Sequence, residues 1–382
     1  IGEVEMKPLS SKERLIRLFQ GKDIDWIPIW LLFPFHPIGC YVDVYKIPCY
    51  RPVLDAVERY GVDIFDRRNF NTGFCFSSSP EIERVQESIA EGDRIVIKNR
   101  IIYKNIVLEE ERTLTDNRSK ITKPVVQEIG DLEKILTLPY EPPRPVLTRF
   151  FQEKEELGDK GLMMVDIGDP LGVLYHLCSI EQFCIWSLQE REILIHFLDM
   201  IYERVIDVYR YLLENGVGPV YFIVGAEFAG PPIVSPSYFN ELCARYVKGI
   251  VDLIRSYGMW SIVHYHGNLK KILEGIKYIN PDGLHTIEAP PVGDCTVLEA
   301  RKTLGDMILI GNIQYDDLSS LEESEIRELV KETLREGMTG RFILSPTAGP
   351  YESYISPRMQ KNYIAFIETG LEFGRLQEVS EI

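Results

Sequence analysis

The sequence predicts an α/β protein: a (β/α)8 TIM barrel with an N-terminal extension and an added antiparallel β-ribbon. Three observations lead to this fold class. Short runs of apolar, β-branched and aromatic residues recur along the chain, as is typical of parallel strands covered on both faces. Segments with the apolar spacing of helices separate these runs. The runs number about eight, which is the strand count of this barrel.

The candidate strands are spread over most of the chain. They are Trp26–Leu32, Val62–Phe65, Leu162–Ile167, Val220–Val224, Trp260–His264, Gly283–Ile287, Met307–Ile310 and Phe342–Leu344. Because crossovers between parallel strands are right-handed, we expect the strands to follow one another around the barrel in chain order.

The helical segments have apolar residues at steps of three and four. The clearest is Glu192–Asn215, and Ser237–Tyr257 and Glu322–Gly337 are further examples. Ser320 and Glu323 have the spacing of a capping box at the start of the segment Glu322–Gly337.

One region breaks the strand–helix alternation. Residues Arg94–Leu114 alternate apolar and polar side chains, which predicts the inserted antiparallel ribbon. The Pro-rich stretch Leu138–Val146 is interpreted as a connector within one domain that covers residues 1–382.

Composition excludes several function classes. The chain of 382 residues has a formal net charge of −16, which repels nucleic-acid phosphates and anionic membrane surfaces.

No apolar run reaches the roughly 18 residues of a membrane-spanning helix. Seven cysteines without a CxxC pair favour free thiols in a reducing cytoplasm. No P-loop or strand-linked GxGxxG motif indicates a nucleotide site.

Polar residues cluster where the later strands end, which is where barrel enzymes carry their active sites. His264 and His266 are two apart on an extended segment, so both side chains point the same way and form a natural pair of metal ligands. The alternative is two hydrogen-bonded histidines in a polar pocket. A non-enzymatic binding barrel is disfavoured by this clustering.

Two carboxylates are candidates to complete the site. Glu288 ends the next strand, and no Lys or Arg in its segment offers an ion pair instead of a metal. Glu227 is a further ligand, or a general acid whose pKa is raised by apolar surroundings. The alternative for Glu227 is a charge held by backbone donors at a helix N-terminus.

Substrate contacts are expected from other strand ends. Trp30 and Phe33 belong to an aromatic segment that forms either the wall of an apolar pocket or an ordinary core strand. Asp166 faces the cavity or makes a structural hydrogen bond, and Asn312 and Tyr351 are further candidates. Asp169, before Pro170, is expected to cap a helix. The sequence predicts no role for His285.

These segments also resemble a known family. The opening SKERLIRLFQGKDIDWIPIW and the segments HYHGNL, GLHTIEAPP, LIGNIQ and RFILSPTAGPY are similar, in order and spacing, to the uroporphyrinogen decarboxylase-like superfamily. That superfamily includes zinc-dependent methyltransferases that serve corrinoid proteins. The resemblance spans nearly the whole chain and implies the (β/α)8 fold.

Two departures refine what the resemblance implies. The Arg-rich segment by which true decarboxylases grip substrate carboxylates is replaced by FPFHPIGCY, which makes tetrapyrrole decarboxylation unexpected. The His-x-Cys pair and the SPGC-like loop of thiol-methylating members are replaced by His264-x-His266 and by Ser345-Pro346-Thr347-Ala348. Glu288 matches a position that holds a carboxylate ligand in related methionine synthases.

The resemblance therefore implies a zinc-dependent O-demethylase. Imidazole and carboxylate ligands give a more Lewis-acidic zinc than thiolates do, which suits an ether oxygen. The methyl donor would be an aryl methyl ether and the acceptor the Co(I) of a partner corrinoid protein, with Glu227 as proton donor. The alternatives are a metal-free decarboxylase of another substrate, with Asp166 or Glu227 handling the proton, and a methyl-corrinoid:thiol or pterin methyltransferase.

Overall fold

The structure, a computed structural model, describes residues 8–70, 73, 76–115, 118–227 and 229–376. Eleven strands lie in these residues: β1 (Ile64–Asn69), β2 (Glu83–Glu91), β3 (Arg94–Tyr103), β4 (Ile106–Thr115), β5 (Arg118–Lys123), β6 (Gly161–Asp166), β7 (Val220–Ile223), β8 (Trp260–His264), β9 (Gly283–His285), β10 (Ile308–Ile313) and β11 (Phe342–Pro346).

Helices occupy much of the remaining described chain. They are α1 (Ser11–Phe19), α2 (Arg51–Tyr60), α3 (Gly130–Leu136), α4 (Thr148–Leu157), α5 (Pro170–Leu177), α6 (Ile180–Gln189), α7 (Arg191–Glu214), α8 (Pro236–Tyr238), α9 (Arg245–Ser256), α10 (Leu273–Ile279), α11 (Val297–Leu304), α12 (Asp317–Ser320), α13 (Glu323–Gly337) and α14 (Pro357–Phe373). A π-helical turn, Phe239–Ala244, joins α8 to α9.

Seven parallel strands form the central sheet, in the order β1-β6-β7-β8-β9-β10-β11. This is the chain order, and helices connect the strands from β6 onward, so the predicted α/β TIM-barrel fold is confirmed. Because all seven strands point the same way, their carboxyl ends meet at one mouth.

The predicted first strand, Trp26–Leu32, is not a regular strand. It lies beside β11 through a single parallel bridge between Ile29 and Leu344. On its other side, the Ile29 N–H donates to the carboxylate of Asp63 (3.0 Å). Pro28 has no N–H to donate, so a continuous ladder is interrupted here. The eighth position of the barrel is therefore an irregular segment held by a side chain.

The inserted region is larger than predicted. It forms a four-stranded antiparallel sheet in the order β2-β3-β4-β5, placed between β1 and β6 in the chain. The predicted ribbon covers only β3 and β4. Strand β2 is mostly exposed and β5 is a short polar strand, so neither shows the apolar alternation by which a half-buried strand is recognised.

Helix boundaries agree with the periodicity, but one predicted cap is wrong. Ser320 is the last residue of α12, and an extended Leu321 follows it. The turn before α13 is instead stabilised by the Glu322 N–H, which donates to the carboxylate of Glu325 (2.8 Å). Both pairs have the capping-box spacing, so the sequence alone did not separate them.

Asp169 caps α5 as predicted and also joins two strand ends. Its Oδ1 accepts from the Gly172 N–H (3.0 Å), and its Oδ2 accepts from the Ala226 N–H (3.0 Å). The two loops approach closely, because a Cβ on Gly172 would lie 2.3 Å from the Cα of Gly225. Asp169 thereby fixes the start of the loop that carries Glu227.

The barrel interior below the mouth is apolar and aromatic. Trp30, Phe65 and Phe222 pack there edge to face, together with aliphatic residues of the central strands. A second, larger core lies between the sheet and the helices. No single helix in the described residues is long and apolar enough to cross a membrane, although α5 and α6, bent by 116° between them, pass that test as a pair.

Candidate metal centre

The two predicted imidazoles lie together at the mouth. His264 is the last residue of β8 and is buried, and the His266 ring lies 4.6 Å from the His264 ring, almost perpendicular to it. The backbone between them is held by its neighbours: the Tyr265 N–H donates to the His285 carbonyl and the His266 N–H donates to the Glu227 carbonyl, both at 2.9 Å. The ends of β7 and β9 therefore position this segment.

Glu227 completes a group of three possible ligands. Its Oε1 lies 3.9 Å from Nε2 of His264. The ligand atoms of Glu227, His264 and His266 all lie within 4.8 Å of one another. We call these three residues the metal-ligand cluster.

Glu288 stands behind His266. Its Oε1 lies 3.1 Å from Nδ1 of His266, and its Oε2 accepts from the Gly267 N–H (2.7 Å). Burial alone would raise the pKa of Glu288, but hydrogen bonds and the charge of His266 outweigh it, and the pKa is lowered. For His266, burial lowers the pKa, yet its hydrogen bond to Glu288 brings a net rise.

Glu288 lies beside the metal-ligand cluster but outside its three residues, so its role as a direct ligand stays a prediction. Its carboxylate is engaged by His266, by Gly267 and by the amide of Gln314 (3.3 Å). A carboxylate that accepts from Nδ1 leaves the lone pair of the imidazole on Nε2, the common arrangement behind a metal-bound histidine. In this arrangement Glu288 orients His266, and Glu227, predicted as a further ligand or a general acid, is the carboxylate inside the cluster.

A third histidine stands behind His264. Nδ1 of His285 lies 2.7 Å from Nδ1 of His264, and Nε2 of His285 lies 3.1 Å from the Pro346 carbonyl. Burial lowers the pKa of His285 to about 3 and that of His264 well below its ordinary value. His285 pairs with His264 in the register of β8 and β9, a relation that becomes visible only when the strand ends are aligned.

Arg67 is a residue of the barrel mouth that the sequence analysis did not single out. It lies in β1 and forms an ion pair with Asp166, the last residue of β6, at the same end of the barrel. Its guanidinium also lies 5.2 Å from the Phe222 ring centroid. Burial opposes its charge, but Asp166 raises the pKa of Arg67. The predicted strand ended at Phe65, whereas β1 continues through the polar residues to Asn69.

A cavity of about 1100 Å³ opens beside the cluster. Tyr351, a predicted substrate residue, lies on its rim with its ring 5.5 Å from that of Tyr41. Ser119 of β5 also lines the cavity, so the inserted sheet contributes to its wall. Further lining residues include Cys40, His266, Glu288, Gln314, Tyr315 and Thr347.

The other four predicted substrate residues are not among those that line this cavity. Asp166 is held in the ion pair with Arg67. Trp30 is buried below the mouth, with its ring 5.5 Å from that of His285. Phe33 packs against Tyr363 in the outer core, on the opposite side of the segment. The side-chain Oδ1 of Asn312 accepts from the hydroxyl of Thr333 in α13 (3.1 Å). The side chains of Trp30 and Phe33 thus fill the cores and that of Asn312 faces a helix, and a substrate contact for these three stays a prediction.

Comparison with known proteins identifies the family. The family model for uroporphyrinogen decarboxylase (URO-D) matches residues 112–366. The chain belongs to the URO-D family. The matched range contains the metal-ligand cluster and Glu288, whereas Tyr41 and Arg67 precede it. A search of curated proteins found no significant match.

Two solved structures align with this URO-D family member over most of its length. A methyltransferase from Methanosarcina mazei aligns with a TM-score of 0.61 and 17% identity, over 96% of this chain and 99% of that one. A B12-independent methionine synthase from Shewanella sp. W3-18-1 aligns with a TM-score of 0.45 and 10% identity, over 91% and 97%. At such identities, the first likeness establishes a common fold.

Replacing Glu288 by Gln is expected to weaken zinc binding by about 10–100-fold, because the negative charge behind His266 is lost while the side-chain shape is kept. Competition with a chromophoric chelator measures the zinc dissociation constant. The control is Glu328→Gln on the exposed face of α13, which lies in a different element from the cluster and should leave zinc binding unchanged. Equal affinities in both variants would contradict the role given to Glu288.

Proposed function

We propose that this URO-D family protein is a zinc-dependent methyltransferase that moves a methyl group from an aryl methyl ether to the Co(I) of a corrinoid protein. The observation that carries the proposal is the convergence of Glu227, His264 and His266 within 4.8 Å at the barrel mouth. The resemblance to corrinoid-serving methyltransferases supports the reaction type.

The donor set fits zinc. Two imidazoles and one carboxylate are a ligand set of catalytic zinc sites, which leave one position for water or substrate. None of the described cysteines belongs to the cluster, so the site offers nitrogen and oxygen donors. A bound zinc would supply a Lewis acid that polarises an ether oxygen and stabilises the negative charge left on it.

The residues of the chain have separate tasks in this reaction. His264 and His266 would hold the cation, and Glu288 orients His266. Loss of the methyl group to the corrinoid acceptor would leave the electron pair of the broken C–O bond on the oxygen, which would then take up one proton. Glu227 is 37% exposed and lies beside His264, so it serves either as the third ligand or as the donor of that proton. Its place in the cluster favours the ligand.

The residues that line the cavity favour an aromatic substrate. Tyr41, Tyr315 and Tyr351 line it, and the Tyr351 ring lies 5.5 Å from Tyr41 and 6.3 Å from Tyr315. Aromatic side chains pack favourably against a planar ring. The partner corrinoid protein would present its cobalt at the opening of this cavity, where Tyr351 is exposed.

Two alternatives are less well supported. A metal-free decarboxylase would use Asp166 or Glu227 as the proton carrier, but Asp166 is engaged with Arg67. A thiol methyltransferase of this family would be expected to keep the cysteines that are here His266 and Ala348.

The test combines the protein, zinc, a panel of methoxyarenes and a corrinoid protein reduced to Co(I). We expect the absorbance of methyl-cobalamin to appear with at least one methoxyarene, and to be lost after chelation and restored by zinc. Methyl transfer that is unaffected by complete metal removal would contradict the zinc mechanism. Release of CO2 from a carboxylated substrate by the metal-free protein would support the decarboxylase.

A further inference from the structure

We propose that His285 is a positioning residue: it holds His264 in the single tautomer that directs the Nε2 lone pair into the metal-ligand cluster. This role adds to the description of the zinc site. Only its effect on zinc binding rests on the proposed function. His285 makes two contacts that determine this tautomer, one to a carbonyl and one to another imidazole.

The first contact fixes a proton on His285. The Pro346 carbonyl oxygen, 3.1 Å from Nε2 of His285, accepts hydrogen bonds and cannot donate them. Nε2 of His285 therefore carries a hydrogen. Pro346 is the last residue of β11, so a backbone group of the barrel sets the orientation of this ring.

The second contact requires one proton between two nitrogens. Nδ1 of His285 and Nδ1 of His264 are 2.7 Å apart, a hydrogen-bond distance at which one nitrogen must donate and the other accept. A proton on the His285 side would give that ring hydrogens on both nitrogens and a positive charge.

The surroundings of His285 do not support a positive charge. Its ring is fully buried, and it lies 5.5 Å from the Trp30 ring and 5.9 Å from the Phe222 ring. Its two hydrogen-bond partners are a neutral carbonyl and an imidazole. An unpaired charge in such a place is costly. The proton therefore lies on Nδ1 of His264, and the lone pair of His264 lies on Nε2, the atom that faces Glu227 at 3.9 Å.

The two imidazoles of the cluster thus differ in the group that accepts a hydrogen bond from Nδ1. His266 donates Nδ1–H to the carboxylate of Glu288, whereas His264 donates to the neutral ring of His285. A charged acceptor makes an imidazole more basic than a neutral one does. Because His285 adds no negative charge, it orients His264 and would leave a bound metal more electron-poor than a second carboxylate would.

The tautomer is tested on the metal-free protein by ¹⁵N spectra of histidine-labelled samples, with His264 assigned from its Ala variant. We expect His264 with Nδ1 protonated in the wild type. His285→Phe removes the acceptor and should change the His264 signals to the Nε2–H form or to a mixture. His285→Asn, whose amide oxygen takes the place of Nδ1, should keep the wild-type form. A wild-type His264 protonated on Nε2 would overturn the proposal.

Zinc affinity gives a second readout. We expect His285→Phe to weaken zinc binding by about 10–100-fold and His285→Asn to restore most of it. Near-ultraviolet circular dichroism checks that both variants are folded. If His285→Phe is not folded, His285→Asn is compared with the wild type instead. Wild-type affinity in folded His285→Phe, or equal weakening in both variants, would overturn the positioning role. A wild-type protein that binds no zinc would instead end the proposed function, while the spectra still decide the tautomer.

Discussion

The His264→Ala and His266→Ala variants are expected to lose their zinc, with affinities reduced by more than about 100-fold, since a lost ligand should cost more than a lost supporting residue. Each substitution leaves two protein ligands where a catalytic zinc site needs three. Zinc per chain, measured by atomic emission after gel filtration, should fall well below that of the wild type. Methyl transfer should fall with it.

The matched control is His196→Ala. His196 is exposed on α7 and outside the cluster, so this variant should retain wild-type zinc and activity. A His264→Ala or His266→Ala protein that keeps one tightly bound zinc per chain would place the metal elsewhere and contradict the account of the site.

A large loss of stability is expected from Asp63→Ala. The Asp63 side chain is buried, its Oδ1 accepts from Nη1 of Arg14 (2.7 Å), and its Oδ2 accepts from the Ile29 N–H (3.0 Å). Removing it leaves a buried guanidinium without one partner, which costs about 3–5 kcal/mol. It also frees the irregular segment that takes the eighth position of the barrel.

Urea unfolding at neutral pH measures this loss. The control, Asp55→Ala, removes an exposed partner of Arg51 on α2 and should change the free energy of unfolding by less than about 0.5 kcal/mol. A loss from Asp63→Ala that is no larger than in this control would show that the buried pair does not hold the barrel closed.

The fold could be predicted because its signals are local. Strand β8 was predicted with its observed bounds, since a fully buried parallel strand shows a continuous apolar run. Trp26–Leu32 shows the same run but is irregular, because Pro28 and the bond from Ile29 to Asp63 interrupt the ladder. The outcome there depends on a contact between segments, which no local pattern contains.

The residues of the candidate site also fall into those that one segment predicts and those that depend on contacts between segments. His264 and His266 were predicted as a pair because strand parity and strand ends can be read from one segment. The contact of Glu288 with His266, the hydrogen bond between His285 and His264 and the pairing of Arg67 with Asp166 depend on register and side-chain direction across strands. Zinc, the corrinoid partner, the single domain and the cytoplasmic location remain predictions.

The most direct test of the central claim is anomalous diffraction at the zinc edge from crystals grown with zinc. We expect one peak per chain at the barrel mouth, within about 2.0–2.2 Å of a carboxylate oxygen of Glu227 and of Nε2 of both His264 and His266. Crystals with zinc in solution but no peak between these three side chains, or with a peak held only by other residues, would contradict it.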